Sequence, residues 1–324
     1  EGIVLDGAPN NTIGGTIATA ANIISGNLAG VRVLGAGSTG NRLQGNFIGT
    51  NPAGSTVMGN ATQGVRIDGG ASNNTVGGAT TDAGNTIAFN ALEGIRVEGG
   101  ASLGNTLARN VIFRNGSPAN SDPTQAINLV GGGNANQPAP TITSVEIQGS
   151  TIRIIGNVAN PVGGTVRLEF FSNDPALPGA IQAQTFLGSA IVNPGPFDLT
   201  LSAAVPQGRR ITATSTSLAA PTNTSALSAP ATVQFAPTPI IVTTIADLVD
   251  PLDGETSLRE AILAANTRPG PDTILFAIAG AGPHTILPTS PLPAITDAVF
   301  IDGLSQAGSI ANSSTEALLN ANLQ

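Results

Sequence analysis

The sequence predicts an all-β protein in which a parallel β-helix is joined to a β-sandwich and carries one short capping α-helix. The main observation is a six-residue phrase that begins with glycine and then alternates inward apolar residues with outward side chains, the period of a half-buried strand. It occurs four times near the start of the chain: GIVLDG at Gly2, GVRVLG at Gly30, GVRIDG at Gly64 and GIRVEG at Gly94. The other two observations are a central stretch of longer period-two runs and a single helical pattern near the end.

Two shorter phrases, both beginning with Asn, follow every copy of the glycine phrase. The first begins at Asn11, Asn41, Asn74 and Asn105, and the second at Asn22, Asn46, Asn85 and Asn110. Three short strands per coil at this period indicate a parallel β-helix over 1–130, with 126–130 as the first strand of a fifth coil. The repeated Asn residues are predicted to form structural ladders, because each amide can bond to its counterpart one coil away, about 4.8 Å off.

A linker and then a sandwich are predicted after these coils. Three consecutive glycines open the segment 131–140, whose composition is that of a linker. Over 141–235, period-two runs are separated by turn residues; the runs span 145–155, 165–171, 185–192, 197–205, 210–217 and 226–233. Six or seven strands in about 95 residues favour an immunoglobulin-like β-sandwich.

The helical pattern lies at 256–266, inside a segment, 236–270, that otherwise has the composition of a linker. Ser257 and Glu260 have the spacing of a capping box. One apolar face at helical spacing is formed by Leu258, Ala261, Ile262 and Ala265. The first coil of a β-helix otherwise exposes unpaired backbone and an open apolar core. We therefore predict that this helix caps the first coils of a further β-helix segment, 271–324.

The helix also carries a family resemblance. Residues 256–262, TSLREAI, resemble the CSLREAI motif of bacterial secreted and surface proteins built on right-handed parallel β-helices. The phrases PGPDTILFAI, NNTIGG and GNFIGT look like the same family, and EFFSND and ITATSTS resemble the sandwich module that follows such β-helices. Two features depart from the family: Thr256 stands where the motif has Cys, and the coils here precede the cap. The resemblance implies a right-handed β-helix at an extracellular or cell-surface location, and no established activity.

Three arginines occupy the same outward position in successive coils: Arg32, Arg66 and Arg96. Asp68 and Glu98 lie two residues beyond the last two, on the same face, so the pattern predicts a mutually paired ladder of charges. The alternative is a strip that binds an acidic polysaccharide, as on β-helix enzymes. Against it, the chain has no Trp, Tyr or Lys, and no facing pair of carboxylates recurs from coil to coil as glycoside hydrolysis requires. The sequence therefore predicts no catalytic residues.

The remaining charged residues also limit the partners and cofactors. A formal charge of −8 argues against nucleic-acid binding, and no apolar run is long enough to insert into a membrane. An acidic run before the helix is a candidate for Ca²⁺, although acidic residues near a helix N-terminus already make electrostatic sense; it comprises Asp247, Asp250, Asp253 and Glu255. It lacks the spacing of an EF-hand, so the sequence predicts no metal site and no cofactor. The single histidine, His284, is expected to be structural.

The two ends of the sequence match each other. Residues 299–303, VFIDG, correspond position for position to 3–7, IVLDG, and if Gln324 were followed by Glu1 the interval from Val299 to Ile3 would equal that from Ile3 to Val31, 28 residues. The segment 271–324 is therefore predicted to stack on an N-terminal segment of the same or another subunit. The predicted assembly interface consists of Ile3, Leu5, Val299, Ile301, Leu318 and Leu319.

These features favour a non-catalytic extracellular structural or adhesive protein whose main partner is itself, joined head to tail. Tandem repetition within a longer chain and head-to-tail addition of subunits both give a filament, because a contact that does not close propagates. Closure within one monomer is the third arrangement. The alternative function is a secreted β-helix protein that binds or cleaves a polysaccharide, with Arg32, Arg66 and Arg96 in its binding strip.

Overall fold

The structure, a computed structural model, describes residues 1–116, 126–161, 163–176, 181–235, 238–268, 272–296 and 298–310. The chain forms two compact units, Glu1–Phe235 and Ala236–Gln324. The described residues are mostly β, with a parallel β-solenoid and one α-helix.

The first unit begins with a β-solenoid built from three parallel sheets. Its strands are β1 (Ile3–Asp6), β2 (Thr12–Gly14), β3 (Ile23–Ile24), β4 (Val31–Leu34), β5 (Arg42–Gln44), β6 (Phe47–Ile48), β7 (Val65–Asp68), β8 (Thr75–Gly77), β9 (Thr86–Ala88), β10 (Ile95–Glu98), β11 (Thr106–Ala108), β12 (Val111–Phe113) and β13 (Ile127–Val130). The sheet orders are β1-β4-β7-β10-β13, β2-β5-β8-β11 and β3-β6-β9-β12. The predicted parallel β-helix with three strands per coil is confirmed.

Equivalent residues of successive coils are in register. Leu5 pairs with Val33, Val33 with Ile67 and Ile67 with Val97. Val33, Ile67 and Val97 are fully buried in one apolar core, and Leu5 is half-buried because its strand is at the edge of the sheet. The glycine before each first strand is required by close packing: a Cβ at Gly64 would lie 2.7 Å from the carbonyl oxygen of Gly94.

Asparagine ladders join the coils at three corners. In each rung the carboxamide oxygen of one Asn accepts a hydrogen bond from the backbone N–H of the Asn one coil earlier. In every rung except Asn105–Asn134 it also accepts one from the Nδ2 of that residue, as at Asn41 and Asn74 (3.0 Å each). The two predicted ladders are present, and the first continues to Asn134. A third ladder, which the sequence analysis missed, comprises Asn27, Asn60, Asn90 and Asn115. These ladders satisfy polar groups that would cost about 1–3 kcal/mol each if buried without a partner.

A seven-stranded sheet completes the first unit. Its strands are β14 (Thr141–Gln148), β15 (Thr151–Val158), β16 (Val166–Asn173), β17 (Thr185–Val192), β18 (Gly195–Leu201), β19 (Arg210–Ser217) and β20 (Ala231–Phe235). Their order is β17-β16-β19-β20-β14-β15-β18, and only β14 and β20 run parallel. Ile154, Leu168, Phe170 and Ile211 lie together in its buried core. The run at 145–155 is a hairpin rather than one strand, since Gly149 turns the chain with a φ of +64°.

The second unit contains a short parallel sheet and the helix. The order is β21-β22-β23, formed by β21 (Ile240–Val242), β22 (Asp272–Phe276) and β23 (Val299–Asp302), with α1 at Leu258–Thr267. Strand β21 lies in the segment predicted to be a linker, because a strand of three residues gives too short a pattern to identify. Ala261, Ile262 and Ala265 of α1 are buried against β21 and β22.

The predicted capping box begins the helix. Ser257 Oγ accepts the Glu260 N–H at 3.1 Å, and Glu260 Oε2 accepts the Ser257 N–H at 2.8 Å. These hydrogen bonds satisfy two donors that a helix N-terminus leaves free. Leu258 is partly buried and packs against the same apolar cluster as Ile274, Phe276 and Ile286.

Candidate assembly edges and arginine column

The strand β1 forms an open edge of the solenoid. Among the described strands β1 pairs with β4 alone, and at the same end β2 and β3 are terminal in their own sheets. Ile3 and Leu5 are half-buried and pack against the solenoid core, while Val4 points outward. The edge therefore presents the backbone of one strand per face together with partly uncovered apolar side chains.

The asparagine ladders also end there with unused acceptors. Asn11, Asn22 and Asn27 each donate to the Asn of the next coil. Within the described part of the chain, no donor reaches the Oδ1 atoms of these three residues, whereas every inner member of a ladder uses its Oδ1. The open end thus offers one carboxamide acceptor at each of three corners.

The strand β23 forms a second open edge, in the other unit. Among the described strands it pairs with β22 alone, and Ile301 lies in register with Ile274, which is fully buried. Ile301 is 41% exposed, its neighbour Phe300 is 63% exposed, and Val299 packs against the unit's core. Of the predicted interface residues, Leu318 and Leu319 lie outside the described residues. The other four all belong to edge strands.

The arginine column, formed by Arg32, Arg66 and Arg96, lies in register on the outer face of the first sheet. Carboxylates alternate with its guanidinium groups. Asp68 binds Arg32 through both oxygens (2.9 and 3.2 Å) and lies 2.8 Å from Arg66 Nε. Glu98 lies 3.0 Å from Arg66 Nη2 and 3.1 Å from Arg96 Nε. The column is thus an internally paired row of charges.

The electrostatics of the column follow from this pairing. The hydrogen bond to Asp68 raises the pKa of Arg32, and the hydrogen bond to Glu98 raises the pKa of Arg96. Burial alone would raise the pKa of Glu93, but hydrogen bonds from Asn128, Gln63 and Arg96 lower it. The arginine side chains remain about a quarter to a third exposed, so each pair contributes less than about 1 kcal/mol. An anionic ligand would have to displace these carboxylates.

The acidic run before the helix is also engaged within the protein. Asp247 binds Arg259 through both carboxylate oxygens (2.8 and 2.9 Å) and accepts two hydrogen bonds from Thr289, and these contacts lower the pKa of Asp247. Asp250 and Asp253 accept backbone N–H groups of their own turns. Across the described residues, no group of three or more His, Cys, Asp or Glu side chains is placed to hold a metal ion.

No protein-family model matches the chain, and no curated protein sequence matches it. In the described ranges, no helix is both long enough and apolar enough to cross a membrane.

Proposed function

We propose that this protein is a non-catalytic extracellular structural or adhesive protein whose solenoid extends head to tail, with β23 of one copy pairing with β1 of the next. The observation that carries the proposal is the shared phrase of the two edge strands, VFIDG at 299–303 and IVLDG at 3–7. In a solenoid each first strand pairs with one earlier and one later coil. Among the described residues, no strand takes the earlier position beside β1 or the later position beside β23.

The shared phrase fixes the register of the proposed contact. Aligning the two glycines places Val299 beside Ile3 and Ile301 beside Leu5, all inward, and Phe300 beside Val4, both outward. Covering a partly exposed aliphatic side chain contributes up to about 1.5–3 kcal/mol. Pairing of β23 with β1 also supplies hydrogen-bond partners to a strand edge that is otherwise prone to aggregation. A heterologous contact of this kind propagates into a filament.

The proposal also covers the family, the hand of the coils, the location and the fold of the seven-stranded sheet. The motif TSLREAI supports membership of the CSLREAI-type bacterial surface proteins, and through it a right-handed coil and an extracellular location. The seven-stranded sheet is proposed to fold as an immunoglobulin-like sandwich. In support, strands that lie far apart in the sheet order, such as β15 and β16, contribute residues to one buried core.

A carbohydrate-binding or carbohydrate-cleaving role is the competing proposal, and the regular outward spacing of the arginine column is the observation that favours it. Its weakness is that Asp68 and Glu98 already occupy the guanidinium groups. A glycan array and turnover assays on uronate polymers test it directly. Specific binding to an acidic glycan, or cleavage of one, would replace the structural assignment.

Electron microscopy and light scattering of the full chain test the head-to-tail proposal. The expected result is fibres whose mass per particle rises with protein concentration, because the contact is between copies. Discrete particles of one chain's mass at every concentration would contradict the filament.

A further inference from the structure

The fourth coil (β10 to β12), called here the last coil, is the last with all three strands among the described residues. It is followed by β13 and Asn134, and the seven-stranded sheet module, residues 141–235, then takes the place of the rest of a fifth coil. Four backbone N–H groups of the last coil donate to that module. Gly104 N donates to Asn223 Oδ1 at 2.6 Å, Leu107 N to Thr224 Oγ1 at 2.9 Å, Arg109 N to Glu169 Oε2 at 2.7 Å and Ile112 N to Ala183 O at 2.8 Å. The Ala183 N–H in turn donates to Ile112 O, which makes an isolated antiparallel bridge.

Two of these donors have direct equivalents one coil earlier. Gly104 corresponds to Asn73, since each precedes a ladder Asn, and Asn73 N donates to Leu103 O in the following coil. Arg109 corresponds to Gly78, whose N–H donates to Ala108 O in the following coil. In the last coil, the side chains of Asn223 and Glu169 accept these hydrogen bonds in place of the carbonyl groups of a next coil.

The ladder and the apolar core end on the same module. Asn134 is the last member of its ladder, and its Nδ2 donates at 3.1 Å to Thr224 O. Phe171, Ala183 and Leu227 of the module belong to the buried cluster that fills the solenoid. The module therefore replaces a following coil in three respects: backbone hydrogen bonds, the asparagine ladder and the apolar interior.

We infer that the seven-stranded sheet module is the terminal cap of this solenoid, which closes the β13 end against the addition of any further coil. The inference is independent of the proposed function, since every contact lies within one compact unit. If the head-to-tail proposal also holds, the cap leaves one end of this solenoid, the β1 end, to which coils of another copy can be added.

At β16, a side-chain acceptor suits this role because the backbone of that strand is committed to its own sheet. Strand β16 pairs on both sides, with β17 and β19, so its carbonyl groups are occupied. Glu169, which is 2% exposed, instead reaches the last coil with its carboxylate, and Oε1 of that group lies 3.3 Å from Arg167 Nε. Asn223 and Thr224 lie outside the strands and are likewise buried.

Residue-resolved amide hydrogen exchange on dilute full-length chain tests the inference. Gly104, Leu107 and Arg109 should exchange slowly in the wild type. Asn223→Ala should speed exchange at Gly104, Thr224→Val at Leu107 and Glu169→Met at Arg109, each by about tenfold, because each removes one acceptor. Glu169→Gln retains an acceptor oxygen and should leave Arg109 protected. Asp198→Asn, in an exposed pair with Arg153 of the same module, is the remote control.

Two results would overturn the cap. One is rapid exchange of these amides in the wild type, a measurement that does not depend on any variant being folded. The other is unchanged protection in folded Asn223→Ala and Thr224→Val. Failure of the head-to-tail proposal gives a different pattern, namely single-chain particles in which the three amides remain protected.

Discussion

The two ends of the solenoid differ although the coils between them repeat one plan. At the β1 end, Asn11 Oδ1 accepts no hydrogen bond within the described residues and Leu5 is only half-buried. At the β13 end, the amides of Gly104 and Arg109 are bound by side chains of another module. A parallel stack of coils contains no signal to stop, because each coil presents the next with the same strands. Termination therefore has to come from residues outside the repeat.

The largest expected effect contrasts the interior with the open end. Ile67→Asp places a carboxylate in the fully buried core and should lower the free energy of unfolding by about 3–5 kcal/mol. Leu5→Asp, at the equivalent position of the half-exposed edge, should cost much less because water reaches it. Chemical denaturation of the two variants measures the difference. Equal losses would show that the β1 end is not open.

A smaller effect is expected along the asparagine ladder. Asn74→Ala removes a buried carboxamide that is hydrogen-bonded to Asn41, Asn105 and the carbonyl oxygen of Ser38. It should lower the free energy of unfolding by about 1–3 kcal/mol. Asn11→Ala removes only the terminal rung and should cost less than about 1 kcal/mol. Thermal and chemical unfolding of both variants check the ranking. A reversed ranking would mean that the ladder does not stabilise through its inner rungs.

The smallest expected effect is on the pH dependence of stability. It should have opposite signs for Glu169 of the cap and for Glu93, which contacts Arg96 of the arginine column. Burial raises the pKa of Glu169 above its ordinary value of 4.5. Its contribution to stability is therefore greatest below that value and is lost as the pH rises through the pKa of the folded state. The pKa of Glu93 is lowered, so its contribution is present above the ordinary value and is lost as the pH falls through the folded-state pKa.

Unfolding free energies of Glu169→Gln, Glu93→Gln and the wild type, measured between about pH 3.5 and 8, test these signs. Relative to the wild type, Glu169→Gln should gain stability as the pH rises through the folded-state pKa of Glu169. Glu93→Gln should lose relative stability as the pH rises, because its wild-type carboxylate becomes favourable. Parallel curves for all three proteins would exclude both shifts.

The coil repeat was predictable because it is a local pattern that recurs in register. The glycine phrases and two Asn phrases give the strands of each coil, and the pairing of Arg32, Arg66 and Asp68 follows from their shared face. The third ladder was not predicted because no apolar strand directly follows Asn27 or Asn60, whereas a strand follows the predicted Asn residues of the other two ladders.

The cap was not predictable by the same reasoning. Glu169 and Thr224 lie 60 and 117 residues from their partners Arg109 and Leu107. Neither belongs to a repeat, and an isolated Glu in a period-two run is expected to point to solvent. The segment 131–140 was expected to be a linker, yet Asn134 within it is fully buried as the last rung of a ladder.

The most direct test of the head-to-tail contact compares two substitutions on β23. Ile301→Asp places a charge on the inward face that the contact would bury, whereas Phe300→Asp places it on the adjacent outward face. Both residues are substantially exposed in the single chain, so neither variant should unfold it. An unpaired buried charge costs several kcal/mol, which corresponds to roughly a thousandfold weaker association. In concentration-dependent light scattering, Ile301→Asp should remain one chain in size while Phe300→Asp assembles like the wild type. Assembly of Ile301→Asp at wild-type concentrations, or equal loss in both variants, would contradict the contact.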